Sequence, residues 1–221
     1  MPSVQLVIFD LDGTLVDSAE DIAHAVNEVR DRFELAPLPL DEIESYIGNG
    51  VAKLLERALA GSARELVDRA HEIYLPIYRR RLLDHTRPYP GVVPALEELD
   101  VRGRTLTVLT NKPRHESLMI LEGLGLRQHF AQVYGGDSFE HKKPNPTGAR
   151  RLLDEAGAGT HETLFVGDSS IDLETARAAD IPCCLVTYGI RPETVASLQP
   201  DFWVDDLREL ATIMRAPLPE D

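Results

Sequence analysis

Two aspartates separated by one residue, Asp10 and Asp12, stand directly after the first apolar run of the chain, residues 4–9. Such a run predicts a buried strand, and ligands bind at the carboxyl ends of the strands in a parallel sheet. The next residue, Gly13, permits a tight turn and a close approach of backbone amides to an anion. For this fragment alone, an ordinary turn with Asp10 as a cap is an equally good interpretation.

Three later apolar runs end in polar residues of the same kind. Thr110 and Asn111 follow the second core run, where an ordinary helix cap is the simpler interpretation of the pair alone. Lys143 precedes a proline and is therefore held extended, which lets it reach back over the sheet edge, although an isolated loop lysine is usually solvated. Asp168 follows the fourth run, and Asp172 lies about one helical turn beyond it.

Together, these strand ends gather four carboxylates in one small volume: Asp10, Asp12, Asp168 and Asp172. Like charges at such a distance would raise each other's pKa and cost stability. A hard divalent cation removes the conflict, and an all-oxygen ligand set suits Mg²⁺ best. The seven histidines lack the spacing of a zinc site and are interpreted as ordinary surface or core residues.

The elements that must position these residues are read from the hydrophobic pattern. Short apolar runs alternate with amphipathic stretches, which predicts an α/β fold with a parallel sheet covered by helices. The runs are residues 4–9, 105–109, 132–134, 163–166, 183–186 and 202–204.

The interval from residue 16 to 86 breaks this rhythm and shows no convincing strand. It predicts helices only, over residues 19–33, 41–46, 51–60 and 63–83, the last starting with a capping box from Ser62 to Glu65. We therefore expect a catalytic core of residues 1–15 and 87–221 and an inserted helical cap of residues 16–86, with hinges near Val16 and near residues 89–91.

Composition limits the partners of the chain. Its 221 residues carry 23 basic and 37 acidic side chains, a net charge of −14. Such a surface repels nucleic acid and anionic lipid, so we expect neither as a partner and expect a small phosphorylated metabolite instead. The absence of a basic leader and the adjacent Cys183 and Cys184, which favour two reduced thiols, predict a cytoplasmic protein. Monomer and homodimer both remain open.

The motifs together resemble those of the haloacid dehalogenase-like hydrolases, in the same order and over nearly the whole chain. They are residues 10–14 (DLDGT), 110–112 (TNK), 143–144 (KP) and 167–168 (GD) with Asp172. The resemblance implies a Rossmann-like parallel core with an inserted type 1 cap. More narrowly, residues 16–18, 46–51, 89–92, 135–137 and 187–189 resemble the phosphoglycolate phosphatase branch.

By this resemblance, Asp10 is the nucleophile that takes up the phosphoryl group. Asp12 is the general acid and then the general base, and would touch Mg²⁺ through its backbone carbonyl only. Two differently placed carboxyl groups suit that division of work, because one must be ionised on the metal and the other must carry a proton. Asp168 is a carboxylate ligand, and Asp172 acts indirectly or through a water molecule.

The resemblance also implies a cradle for the transferring oxygens, made by Thr110, Asn111, Lys143 and the amides up to Gly13. Two departures from the family stand out. Dehalogenases proper lack an acid at the position of Asp12, so its presence favours phosphate chemistry. Asp180 replaces a usual glycine, and aspartate tolerates the left-handed conformation expected there.

The expected activity is Mg²⁺-dependent hydrolysis of a small phosphomonoester, with 2-phosphoglycolate as the expected substrate. Its carboxylate would meet the first amides of a helix starting at Val51, after the turn of residues 48–50, with Lys53 as a nearby charge. A plain turn with a solvated Lys53 is an equally good interpretation. The alternatives are a sugar-phosphate phosphatase, including one for N-acetylmuramic acid 6-phosphate, a β-phosphoglucomutase-like phosphomutase, and a catalytically idle binding module.

Overall fold

The computed structural model describes residues 4–214. Its strands are β1 (Leu6–Phe9), β2 (Val16–Asp17), β3 (Arg87–Pro88), β4 (Thr105–Leu109), β5 (Gln132–Tyr134), β6 (Thr163–Gly167), β7 (Cys183–Val186) and β8 (Phe202–Val204). Its α-helices are α1 (Ala19–Arg32), α2 (Leu40–Glu44), α3 (Val51–Ala58), α4 (Arg64–Arg81), α5 (Val92–Val101), α6 (Arg114–Gly123), α7 (Thr147–Ala156), α8 (Ser170–Ala178), α9 (Pro192–Val195) and α10 (Leu210–Ile213).

Six strands form one parallel sheet in the order β5-β4-β1-β6-β7-β8. The chain builds outward from β1 to β4 and β5 and then returns to the other side of β1 for β6. Strand order therefore reverses at β1, and ligand crevices form at such a reversal. The α/β prediction with a Rossmann-like parallel core is confirmed.

Strand β1 lies between two apolar core clusters, one on each face of the sheet. Its four residues are fully buried: Leu6 and Ile8 belong to one core cluster, whereas Val7 and Phe9 belong to a second. A strand buried on both faces reads as a continuous apolar run, as is usual in parallel sheets. The second cluster also contains apolar residues of α1, α3 and α4, so the helical insertion packs on that side of the sheet.

Helices α1 to α4 lie between β2 and β3, which pair antiparallel as Val16 with Pro88 and Asp17 with Arg87. The expectation of no strand in residues 16–86 is thus wrong for β2, which forms because the chain leaves and returns side by side. The division into core and cap stays a prediction, and this ribbon lies at both of its boundaries.

One local prediction in this region fails. Helix α4 begins at Arg64 after Ala63 and receives no side-chain cap, so Ser62 does not form a capping box. Asp180 does adopt the left-handed conformation, with φ of 57°. Across residues 4–214, the helices are all too short or too polar to cross a membrane.

Candidate active site

Strand register brings the polar strand ends to one level. Phe9 of β1 lies opposite Val108 of β4 on one side and Val166 of β6 on the other. The backbone continues this pairing beyond the strand, since the Asp10 amide donates to the Val166 carbonyl at 2.9 Å. The residues that follow the three strands therefore share one edge of the sheet.

Three of the four predicted carboxylates meet there. Asp10, Asp168 and Asp172 each offer an oxygen within 4.8 Å of the others, and all three side chains are buried. Burial, together with the charge of Asp172, raises the pKa of Asp10 to about 7, although Lys143 opposes this shift. Burial, together with the charges of Asp172 and Asp10, holds the pKa of Asp168 well above its usual range.

Lys143 sits among these carboxylates. Its Nζ lies 2.9 Å from Asp10 Oδ1 and 2.7 Å from Asp172 Oδ1, and its side chain is 2% exposed. Although burial lowers the pKa of Lys143, the two carboxylates raise it above its ordinary value, so the ammonium group stays charged. One lysine cannot balance three buried acids, which leaves the site with an excess of negative charge.

That donor set fits a divalent metal ion. The ligands are carboxylate oxygens, which suit Mg²⁺, and a cation would relieve the repulsion that raises the two pKa values. Two glycines leave the space in which Asp168 stands: a Cβ on Gly13 would come within 2.0 Å of Asp168 Oδ2, and one on Gly189 within 2.5 Å. Gly13 also has φ of 86°, which disfavours any other residue.

Asp172 accepts four hydrogen bonds, whereas Asp168 accepts two longer ones, from the Thr14 hydroxyl at 3.4 Å and the Ile190 amide at 3.3 Å. Asp172 Oδ2 caps α8, accepting from the Asp168 amide at 3.2 Å and from the amide and hydroxyl of Ser169 at 3.1 and 2.6 Å. Oδ1 accepts from Lys143. Asp172 therefore holds Lys143 and the start of the loop after β6 in place. These contacts suit the predicted indirect role of Asp172, which stays a prediction.

Asp12 lies outside the acidic cluster. Its carboxylate accepts from the Ser18 hydroxyl and, at 2.8 and 3.0 Å, from Lys112 Nζ. Lys112 is 7% exposed, and its ammonium group lies 4.8 Å from the ring centre of Tyr78 on α4. The two aspartates of the first motif therefore face different partners, and their division of work stays a prediction. Sequence reasoning gave Lys112 no role, although its position beside Asn111 pointed to it.

Thr110 and Asn111 lie buried at the end of β4, where they were predicted. The Asn111 amide group donates to the Gly48 carbonyl at 2.9 Å and to the Lys143 carbonyl at 3.0 Å. It therefore joins the loop between α2 and α3 to the segment that carries Lys143. The side-chain oxygen of Asn111 is buried and has no partner among the described residues.

A cavity of about 270 Å³ lies over these strand ends and is partly enclosed by residues of α1, α3, α4 and the loop after α2. Asp10, Asp12, Thr110, Asn111 and Asp168 line its floor. The helical insertion contributes mainly apolar and aromatic groups, among them Tyr46, Leu54, Tyr74 and Tyr78.

Lys53 is not brought to this cavity. Its side chain is 55% exposed and pairs with Glu56 at 2.7 Å, because the third residue of α3 faces solvent while Val51 and Leu54 face the cavity. The expectation that Lys53 binds substrate therefore has no support in the geometry. Arg191, which lines the cavity from the loop after β7, was missed, since a lone loop arginine gives no signal in the sequence.

Known proteins resemble the chain over nearly its full length. The sequence profile of the haloacid dehalogenase-like hydrolases matches residues 7–186. A phosphoglycolate phosphatase of Rhodospirillum rubrum is 38% identical over 96% of this chain and 92% of its own, and one of Agrobacterium fabrum is 36% identical over 95% and 91%. The crystal structure of a predicted phosphoglycolate phosphatase from Haemophilus somnus superposes with a TM-score of 0.92 at 31% identity, covering 96% of this chain and 99% of that one.

The profile match and these relatives agree with the motifs, the parallel core and the carboxylate site. The chain belongs to the haloacid dehalogenase-like hydrolases.

Proposed function

We propose that the chain is a magnesium-dependent phosphatase that hydrolyses 2-phosphoglycolate through an aspartyl-phosphate on Asp10. The observation that carries the proposal is the contrast between the two aspartates of the first motif. Asp10 lies with Asp168 and Lys143 in the acidic cluster, whereas Asp12 faces Lys112 and Ser18. The relatives named phosphoglycolate phosphatase support the choice of substrate.

In the first step, a carboxylate oxygen of Asp10 attacks phosphorus while the bond from phosphorus to the ester oxygen breaks. Asp12 gives its proton to the leaving alkoxide, and glycolate is released. In the second step, Asp12 takes a proton from a water molecule that attacks the phosphoryl group, and Asp10 is regenerated. Mg²⁺, when bound, would be held by Asp10, Asp168 and the Asp12 carbonyl and would supply positive charge that offsets the charge of the phosphoryl group.

The rest of the floor stabilises the charge that develops on the phosphoryl oxygens. Lys143 is a fixed, charged donor 2.9 Å from Asp10. Thr110 and Asn111 line the same floor, and the Thr110 hydroxyl and the backbone amide of Asn111 are the donors proposed there. The predicted amide of Gly13 is not among them, because it donates to the Val16 carbonyl at 2.9 Å. Preorganised donors of this kind give the largest contribution to phosphoryl transfer, since they cost no reorganisation during the reaction.

We propose that residues 16–86 act as a cap that covers this site during phosphoryl transfer. The contact between Asn111 and the Gly48 carbonyl supports the proposal, because it joins the cap to the floor beside the reacting groups. A cover excludes bulk water and restricts substrates to those that fit beneath it.

The carboxylate of 2-phosphoglycolate needs a positive group a few bonds away from phosphorus. Among the described residues lining the cavity, the basic side chains are Lys112 and Arg191, and Lys112 is already paired with Asp12. Arg191 pairs with Glu193 at 3.0 Å and is 41% exposed, so it is free to turn towards a substrate. The first amides of α3, after Gly50, add a second group of donors.

A panel of phosphomonoesters ranked by kcat/KM tests the substrate. We expect 2-phosphoglycolate to rank first, and Arg191→Ala to lower kcat/KM for it by about tenfold or more, mainly through KM, with p-nitrophenyl phosphate little affected. Lys53→Ala is the matched control, since Lys53 faces solvent. A sugar phosphate that leads the panel would replace the proposed substrate, and phosphate release that is absent for every ester would favour an idle binding module.

The proposed setting is cytoplasmic, which suits the two free, buried cysteines, Cys183 and Cys184.

A further inference from the structure

Three side chains of types that ligate metals, two from α1 and one from beyond α4, meet on the surface of the helical insertion. They are Glu20 and His24 of α1 and His85, which follows α4. We propose that these three residues form a binding site for a divalent transition metal ion, typified by Zn²⁺, that is separate from the magnesium site at Asp10.

The geometry suits a three-ligand site. Glu20 and His24 are four residues apart on α1, so their side chains lie on the same face of the helix. His85 Nδ1 lies 3.3 Å from Glu20 Oε1, and the rings of His24 and His85 are 5.2 Å apart at 67° to each other. One donor atom from each residue lies within 4.8 Å of the other two.

The backbone beneath the site is held firmly, so the ligands need little reorganisation. Asp21, the fully buried neighbour of Glu20, accepts hydrogen bonds from the His85 amide at 3.0 and 3.1 Å. It also accepts from the amide and hydroxyl of Thr86 at 2.8 and 2.7 Å. These bonds fix the main chain of His85 against α1, and only side-chain rotations remain to be adjusted.

Ligand chemistry selects the metal. Imidazole nitrogen suits Zn²⁺ and its neighbours, whereas Mg²⁺ prefers oxygen alone, as at the acidic cluster. Donors on one tetrahedral Zn²⁺ stand about 3.4 Å apart, so the three side chains must close in slightly, and all three are exposed and free to do so. Two histidines, one glutamate and a water molecule make up a common zinc coordination shell.

The position of the site gives metal binding a structural consequence. Glu20 and His24 lie just after β2, and His85 lies just before β3, so a bound ion would tie together the two chain segments that enter and leave the insertion. Because the three ligands come together only in the folded chain, binding must raise the melting temperature.

Calorimetric titration of the untagged chain with Zn²⁺, in excess Mg²⁺, tests the site directly. We expect one Zn²⁺ per chain, with affinity lowered about tenfold or more by His24→Ala and by His85→Ala, and a Zn²⁺-dependent rise in melting temperature that both variants lose. His161→Ala, which removes an exposed histidine elsewhere on the chain, is the matched control and should bind as wild type does.

Asp168→Asn separates the two metal sites. We expect it to keep the Zn²⁺ affinity of the wild type, since Asp168 belongs to the acidic cluster. The proposal is overturned if Zn²⁺ does not bind, if the His24 and His85 variants bind as tightly as the wild type, or if Asp168→Asn alone removes binding.

Discussion

Asp10 and Asp12 carry the same functional group two residues apart, yet their surroundings differ. Asp10 shares a buried space with Asp168 and Asp172, whose combined negative charge favours the binding of a cation. Asp12 instead meets the ammonium group of Lys112. The contrast arises because Asp10 directly follows β1, whereas Asp12 lies in the turn after Leu11, which places its side chain against Lys112.

The raised pKa of Asp10 predicts a pH-dependent effect of Mg²⁺ on stability. Without metal, Asp10 holds its proton more tightly when folded, with a pKa of about 7 against a usual 3.8, so protonation stabilises the fold at low pH. That contribution is lost as pH rises through about 7. Mg²⁺ binds the ionised form, so it should raise the melting temperature little at about pH 5 and clearly at about pH 8.

Thermal denaturation with Mg²⁺ and with EDTA at both pH values gives the comparison. Asp168→Asn should reduce the effect of Mg²⁺ at the higher pH, since a ligand is lost. An effect of Mg²⁺ that is equal at both pH values, or larger in acid, would contradict this account of Asp10.

At the scale of secondary-structure elements, one buried carboxylate joins α1, the first helix of the insertion, to the segment by which the chain leaves the insertion before β3. Asp21 of α1 is fully buried and accepts four hydrogen bonds from the backbone and side chain of residues 85–86. It therefore fixes the point at which the chain returns towards β3.

Removing that carboxylate should destabilise the protein strongly. Asp21→Ala leaves the buried amide and hydroxyl of Thr86 without acceptors, and we expect the free energy of unfolding to fall by about 2–4 kcal/mol. Urea denaturation measures it, with Asp31→Ala at the exposed end of α1 as the control. If Asp21→Ala lowers the free energy of unfolding no more than the control does, the hydrogen bonds from residues 85–86 to Asp21 do not stabilise the return of the chain to β3.

Sequence reasoning succeeded where a signal is local. The apolar runs predicted strands β1, β4 and β6 from their pattern alone. The position of the polar residues directly after these strands placed them at the edge of the sheet. It failed where three-dimensional contacts decide: the exposure of Lys53 depends on how α3 rotates against the core. The meeting of His24 with His85 depends on the return of the chain after α4. Neither could be read from spacing.

Across the whole molecule, acidic charge and a covered site restrict what can reach Asp10. The chain carries a net charge of −14, and the cavity over the strand ends measures about 270 Å³. On the proposed function, a small anion overcomes the general repulsion only if it gains enough from Lys143, Arg191 and a bound cation.

This restriction predicts selectivity by size. Folded phosphoproteins should be hydrolysed at least about a thousandfold less efficiently than 2-phosphoglycolate, because they cannot enter beneath the helices of residues 16–86. Phosphate release from a phosphoserine protein, from free phosphoserine and from 2-phosphoglycolate, compared at equal concentrations of ester, measures the difference. Similar rates for protein-bound and free phosphoserine would rule out a covered site.

The central claim is that Asp10 takes up the phosphoryl group, and Asp10→Asn tests it most directly. The amide has nearly the same shape but is far less nucleophilic, so the fold should persist while phosphate release from 2-phosphoglycolate in Mg²⁺ falls by about a thousandfold or more. Circular dichroism and mass spectrometry check that the variant is folded and not deamidated. The account predicts a folded variant with almost no phosphate release, and a folded, intact Asp10→Asn protein that keeps more than about a tenth of wild-type kcat would contradict it.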